Sequence, residues 1–306
     1  MQQTLASKRT LCGIGLHSGK PVRLTILPAP ADHGLVFRRT DLPRAASDIV
    51  VGAENWVEAS LCTVLRNAHG ATVSTIEHLL AALHGCGVHN ARIDIDGPEV
   101  PILDGSAAPF VTQILAAGLA PQDAPLRALR VLRPIEVRRG DARARLIPAP
   151  ELQIAFEIAF DEPLIGEQRV ALSMHNGTFL RELSDCRTFC MRADVEMMQA
   201  NGLALGGTLD NAVVFDRGRV ISKGGLRRKD EPVRHKVLDV MGDLYVAGLP
   251  ILGRYEGFKA GHALSGRVLQ ELFAAPENYE IITCDPAQAA RMPGVGISSI
   301  NMALSA

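Results

Sequence analysis

The chain has 306 residues, 32 Lys and Arg against 33 Asp and Glu, and 47% hydrophobic residues, which is the composition of a folded globular chain of about two domains rather than a disordered one. A formal net charge of -1 gives no electrostatic reason to expect nucleic acid or an anionic membrane as a partner. No apolar run approaches the roughly 18 residues that span a bilayer, no hydrophobic stretch follows Lys8 and Arg9 as in a signal peptide, and six scattered cysteines form no disulfide framework. The expected compartment is the cytoplasm, without stable membrane insertion.

Val22, Leu24 and Ile26 alternate with Arg23, Thr25 and Leu27, which is the pattern of a half-buried strand, and residues 35–38 are a second extended run. Residues 61–66 are a third, closed by the turn-like Asn67-Ala68-His69-Gly70. From Ser74 the period changes: Ile76, Leu79, Leu80 and Leu83 follow helical spacing and stop at Gly85 and Gly87. A strand over 91–96 and a helix over 106–119 follow, and 121–125 reads as a linker. The second half repeats this order, with strands over 129–137, 142–147 and 152–160, a helix opening at Pro232, a strand near 251–258 and a helix from about His262. The expected fold class is α+β: two similar two-layer sandwich domains, residues 1–124 and 125–306, each a sheet covered by helices on one face. The second half carries an extra segment, 188–216, without a counterpart in the first.

The strongest local signal is Pro232-Val233-Arg234-His235-Lys236-Val237-Leu238-Asp239. Pro232 suits a first helical turn, so His235 and Asp239 stand at i and i+4 on one face, with Asp243 one turn later. An imidazole and a carboxylate at that spacing can reach one divalent metal; an ordinary polar pair on a helix has the same spacing. In Ser74-Thr75-Ile76-Glu77-His78, Ser74 and Glu77 fit a capping box. The sharper reading makes His78 a ligand and Glu77 the base that takes a proton from water. The repeat joins the two signals, because each opens the first helix of its half, and domains packed face to face would bring His78, His235 and Asp239 together. His262, at the start of the last helix, suits a general acid oriented by Asp243, or a plain first-turn residue.

Other features read as structural. Gly13 to Lys20 departs from both the GxGxxG and Walker spacings, with Pro21 next, and fits a tight turn with His17 near a site. Cys186-x-x-x-Cys190 and Cys86-x-x-His89 lack a second half at zinc-site spacing and fit buried thiols. Asp96, Glu99 and Asp104, flanked by Gly and Pro, fit turns better than a glycosidase pair.

Residues 74–83, Val100-Pro101-Ile102-Leu103-Asp104-Gly105-Ser106-Ala107, residues 233–239 and Gly261-His262-Ala263-Leu264, in that order, resemble the UDP-3-O-acyl-N-acetylglucosamine deacetylase family, amidases of lipid A synthesis. Residues 10–20 and Arg38-Arg39-Thr40-Asp41-Leu42 extend the resemblance over nearly the whole chain. It implies two α+β sandwiches with the active site between them and a nucleotide-sugar substrate carrying an acyl chain. It further implies Zn2+ on His78, His235 and Asp239, a donor set that by its chemistry could also hold Fe2+, with Glu77 as general base and His262 as a cationic acid partnered by Asp243. Thr188 would stabilise the oxyanion, and Phe189 and Lys236 would contact substrate. The 188–216 segment corresponds to an acyl-chain passage, with Val195, Met198, Leu203 and Leu205 as its lining or, in the plainer reading, as core. The chain departs from the family pattern at Cys190, usually Gly, at Leu209, often aromatic, and at Ser265-Gly266, usually Asn-Asn. A metal amidase for another acylated amine and a non-catalytic nucleotide-sugar binder are the competing readings. The intact Glu77, His78, His235, Asp239 and His262 argue against the binder.

Overall fold

Val22, Leu24 and Ile26 are buried along one face of the strand Pro21–Pro28, while Arg23 opposite them is exposed, and this alternation seats the first sheet. In the computed structural model, which describes residues 1–297, that strand pairs antiparallel with Arg9–Ile14 and with Ala91–Ile95. Ala91–Ile95 runs parallel to Leu35–Arg39, which pairs antiparallel with Asp48–Val50. The second half repeats the order and the directions. Ile251–Phe258 lies antiparallel to Ala142–Ile147 and parallel to Leu152–Ala159, and Ile135–Arg139 and Glu167–Ser173 flank these antiparallel on the outside. The second sheet then extends through Arg127–Val131 and Tyr279–Thr283. Residues 298–306 of the expected second domain lie outside the described residues.

Among the described residues the helices are α1 (Glu77–Gly85), α2 (Ala108–Ala117), α3 (Thr178–Glu182), α4 (Arg192–Ala200), α5 (Glu231–Tyr245), α6 (His262–Phe273) and α7 (Pro286–Ala289). Parallel neighbours need a crossover connection, and α1 and α5 supply it in their respective halves. The starts of α1 and α2, at 77 and 108, and of α5 and α6, at 231 and 262, are 31 residues apart in both. The fold is therefore α+β with an internal repeat of architecture, as the sequence pattern implies.

Three expected elements change, each for a backbone reason. The run over 129–137 is two strands, Arg127–Val131 and Ile135–Arg139, because Pro134 has no N–H for a ladder. Of 61–66 only Val64–Arg66 is strand, because the N–H of Thr63 donates to the Glu77 carboxylate. The segment 121–125 is tied down rather than free. Leu119–Pro121 pairs with Gln3–Leu5, and Gln2 and Gln122 continue the exchange of backbone hydrogen bonds.

The halves meet where α1 crosses α5. Leu79, Leu80 and Leu83 of α1 and Val237, Leu238 and Met241 of α5 are fully buried in one hydrophobic cluster that runs through both halves. Gly242 stands at the crossing. A Cβ there would lie 2.0 Å from the Glu77 carbonyl oxygen and 2.9 Å from its Cα, so the two backbones are nearly in contact. One turn on, Tyr245 stacks on His84 with ring centroids 4.1 Å apart and donates its hydroxyl to the Val88 carbonyl. Overpacking such a contact costs about 1–3 kcal/mol, and Gly242→Ala is expected to lower the urea-unfolding stability by that amount. An unchanged midpoint would mean that the helices can separate freely.

Candidate metal centre and active site

The strand Thr72–Ser74 leads into α1, and its geometry overturns the capping box. Ser74, held extended by pairing with Val64, donates its hydroxyl to the Pro98 carbonyl. The N-cap of α1 is Ile76, with no side-chain cap, so the Glu77 carboxylate is released for other contacts. The turn that aims α1 falls on Thr75, which is buried with φ 57°, an unusual conformation for a β-branched residue that costs on the order of 1–3 kcal/mol. Its hydroxyl donates to Glu99 (3.2 Å), whose carboxylate also accepts from the backbone N–H groups of His17 (2.7 Å) and Ser18 (2.9 Å). Glu99 thus holds the Gly15–Lys20 turn against the start of α1. Asp96 and Asp104 likewise accept from backbone N–H groups, those of Arg23 and Ser106.

The first turn of α5 is anchored by Glu231, fully buried, which accepts from the backbone N–H and the guanidinium of Arg187 and from the N–H of Arg227. His235 and Asp239 then face α1 and meet His78. Asp239 Oδ1 lies 3.2 Å from His235 Nε2 and 3.5 Å from His78 Nε2, and the three ligand atoms all fall within 4.8 Å of one another. His235 Nδ1 is 3.0 Å from the Cys186 carbonyl, which assigns its proton to Nδ1 and leaves the Nε2 lone pair facing inward. Burial pushes His235 down to about 3, so the ring is neutral. Burial opposes the ionised form of Asp239, yet His235 and Lys236 beside it hold its carboxyl well below the usual range. Lys236 Nζ donates to Asp239 Oδ2 at 2.8 Å, whereas Oδ1 is buried without a hydrogen-bond partner. A buried, unpartnered carboxylate oxygen facing two imidazole nitrogens is costly unless a cation completes it. A neutral imidazole at His235 and an ionised carboxylate at Asp239 are the protonation states a divalent metal requires of such ligands, and with His78 beside them the residues fit one.

On the far side of Asp239, His262 Nε2 lies 3.8 Å from Glu77 Oε1. His262 Nδ1 is 3.0 and 3.1 Å from the two Asp243 oxygens. Burial pushes His262 down, but Asp243 and Glu77 outweigh it and raise it to about 9, which makes it a cation at neutral pH. Burial raises Glu77, while His262 and His78 pull it back. These groups border a cavity of about 820 Å3, and of the side chains nominated from the sequence as metal ligands, catalytic groups or substrate contacts all but Asp243 line it; Asp243 lies behind His262. Thr188 is fixed by its N–H donating to Gly105 and its carbonyl accepting from Val213, both at 2.8 Å. Phe189 packs edge-on against Phe160, Phe215 and His235.

The LpxC family, UDP-3-O-acyl N-acetylglycosamine deacetylase, matches residues 2–274. The chain belongs to that family. It is 47% identical over 282 residues to a UDP-3-O-acyl-N-acetylglucosamine deacetylase of Phenylobacterium zucineum, covering 92% of this chain and 96% of the relative. The like-named protein of Anaeromyxobacter sp. is 46% identical over 95% of each chain, and that of a Shewanella species 45% over 92% of each.

The residues that depart from the family pattern have local explanations in part. A Cβ at Gly266 would lie 2.0 Å from the Trp56 ring, so the indole occupies the space that a longer residue would need, and Ser265 pairs with the Tyr255 hydroxyl at 3.2 Å. Cys190 and Leu209 line the cavity. In the 188–216 segment, Val195 and Met198 line the cavity but Leu203 and Leu205 do not; the latter two are 38% and 53% exposed. Val195 and Met198 stand on α4, which buries no residue, so the plainer reading of these side chains as core does not hold. The cysteines are free, and Cys86 and Cys186 are buried. Thr63 is a site residue that the sequence reading missed. Its N–H donates to Glu77 Oε2 at 2.9 Å and its hydroxyl to Asp243 Oδ1 at 2.5 Å, and no motif spacing marks it.

The purified protein is expected to bind one divalent ion per chain. His235→Ala should weaken that binding by more than the about 10–100-fold typical of losing a residue that only orients a ligand, read by competition with a chelator. Wild-type affinity in the variant would remove His235 from the ligand set.

Proposed function

We propose that this chain hydrolyses the N-acetyl group of UDP-3-O-acyl-N-acetylglucosamine, giving acetate and the free amine in lipid A biosynthesis. The observation that carries the reading is the convergence of His78, His235 and Asp239 with Glu77 and His262 at one cavity. Family membership supports the substrate. A divalent ion on the three ligands supplies Lewis acidity and acidifies a bound water to a pKa of about 7 in favourable sites; Zn2+ suits the donor set, and Fe2+ is chemically compatible.

The protein's own groups handle the protons and the charge. Glu77 Oε1 accepts the proton of the attacking water, while Oε2 stays tied to the Thr63 N–H. The Thr188 hydroxyl donates to the acetamide oxygen as it gains negative charge. His262, held cationic by Asp243, gives a proton to the departing glucosamine nitrogen. Lys236 and Phe189 contact the nucleotide sugar, and the wall bearing Val195 and Met198 receives the acyl chain. In this reading the chain works in the cytoplasm on a small molecule, and its two domains divide at residues 124–125.

Glu77→Ala should lower kcat about 10²–10⁴-fold and leave metal content unchanged. Acetate release from the UDP-sugar should stop on chelation and return with Zn2+. A fully active Glu77→Ala protein would sink the general-base role, and no release from the metal-loaded wild type would sink the substrate assignment.

A further inference from the structure

Thr63 makes two hydrogen bonds that reach opposite partners of the proton-handling machinery. It is 1% exposed and lies just before the strand Val64–Arg66. Its N–H donates to Glu77 Oε2 at 2.9 Å, which leaves Oε1 turned toward His262. Its hydroxyl donates to Asp243 Oδ1 at 2.5 Å, the oxygen that also lies 3.0 Å from His262 Nδ1. Such a short O–H to carboxylate contact is in the charge-assisted range.

We infer that Thr63 is a positioning residue that fixes the base Glu77 and the acid His262 relative to one another, an inference that rests on the hydrolytic reading above. The terminal torsion of an aspartate is broad, so a carboxylate with only one donor can swing about its Cβ–Cγ bond. Asp243 is gripped from two sides, by His262 in α6 and by Thr63 in the first half of the chain. Its plane, and with it the imidazole, is thereby referred to the same residue whose backbone orients Glu77. Removing the hydroxyl leaves the Glu77 contact in place and frees Asp243. The expected loss is in turnover rather than in substrate or metal binding, since Thr63 does not line the cavity.

The test compares Thr63→Val, which keeps shape and N–H but not the hydroxyl, with Thr63→Ser, which keeps both polar groups. Thr63→Ala repeats the hydroxyl deletion should valine not be accommodated. With the metal-loaded full chain, Thr63→Val should lower kcat for acetate release about 10- to 100-fold, the size of a hydrogen bond to a charged group. KM should stay within about twofold and metal content should be unchanged. Thr63→Ser should recover most of the loss. In an Asp243→Asn background the Thr63→Val change should cost less than about twofold more, because the two act through one contact.

A second readout needs no turnover. In histidine-labelled protein, the proton resonance of His262 Nδ1–H, identified by its absence in His262→Ala, should move in Thr63→Val and hold in Thr63→Ser. Wild-type kcat in Thr63→Val, full additivity with Asp243→Asn, or an unmoved resonance would overturn the inference. If the wild type releases no acetate, the deacetylase reading fails, and the resonance alone decides the role of Thr63.

Discussion

The near-contact of Gly242 with the backbone of Glu77 is the constraint on which the site depends. Helices with ordinary side chains at their crossing sit about 8–10 Å apart. With glycine at the crossing, the short side chains of Asp239 and Asp243, which stand on either side of it in α5, reach partners on other elements: His78 on α1 and His262 on α6. Aspartate has one rotatable carbon before its carboxylate and spans little distance. The backbone approach therefore sets both the His78–His235–Asp239 cluster and the His262–Asp243 pair, and the leucines of α1 packed against Val237 and Met241 hold the approach closed.

That core also supports an accumulation of charge that would not persist alone. Glu77, Asp239 and Asp243 are each about 3% exposed, with Lys236 and His262 among them, and burying ionised groups is expensive unless each is paired. The pairing is nearly complete: Lys236 with Asp239, Thr63 and His262 with Asp243, Thr63 with Glu77. The unpartnered Asp239 Oδ1 and the left-handed backbone of Thr75 are stability left unclaimed, and both lie where chemistry needs them. A site of this kind trades stability for a preorganised field.

Local patterns in the sequence carried much of this. The i, i+4 pair of His235 and Asp239 needs only a helix, and a repeat of helix starts is visible without any identity between the halves. The parts that escaped are contacts between distant residues. Thr63 has no periodicity or spacing that marks it, because its partners are 14 and 180 residues away. The Ser74–Glu77 capping box is a sound local pattern that a strand ladder overrode, since Ser74 is held extended by Val64. Leu203 and Leu205 have the right chemistry for an apolar wall, but the turn after α4 leaves them exposed. Pro134 was readable as a ladder break, and the strand division there follows from the proline alone.

α4 has Val195 and Met198 half-buried at the cavity wall and no fully buried residue. A helix of nine residues has little stability of its own in water, and here folding does not complete its apolar side. An acyl chain in the cavity would supply the missing contacts, so hydrophobic burial that other helices gain when the chain folds is deferred for this one until ligand arrives. With an acyl chain bound there, part of the free energy of binding would go into ordering that wall, and without one α4, lacking a buried residue, belongs with the least protected segments of the fold. On the proposed function, the ligand would be the last piece of the core to be packed.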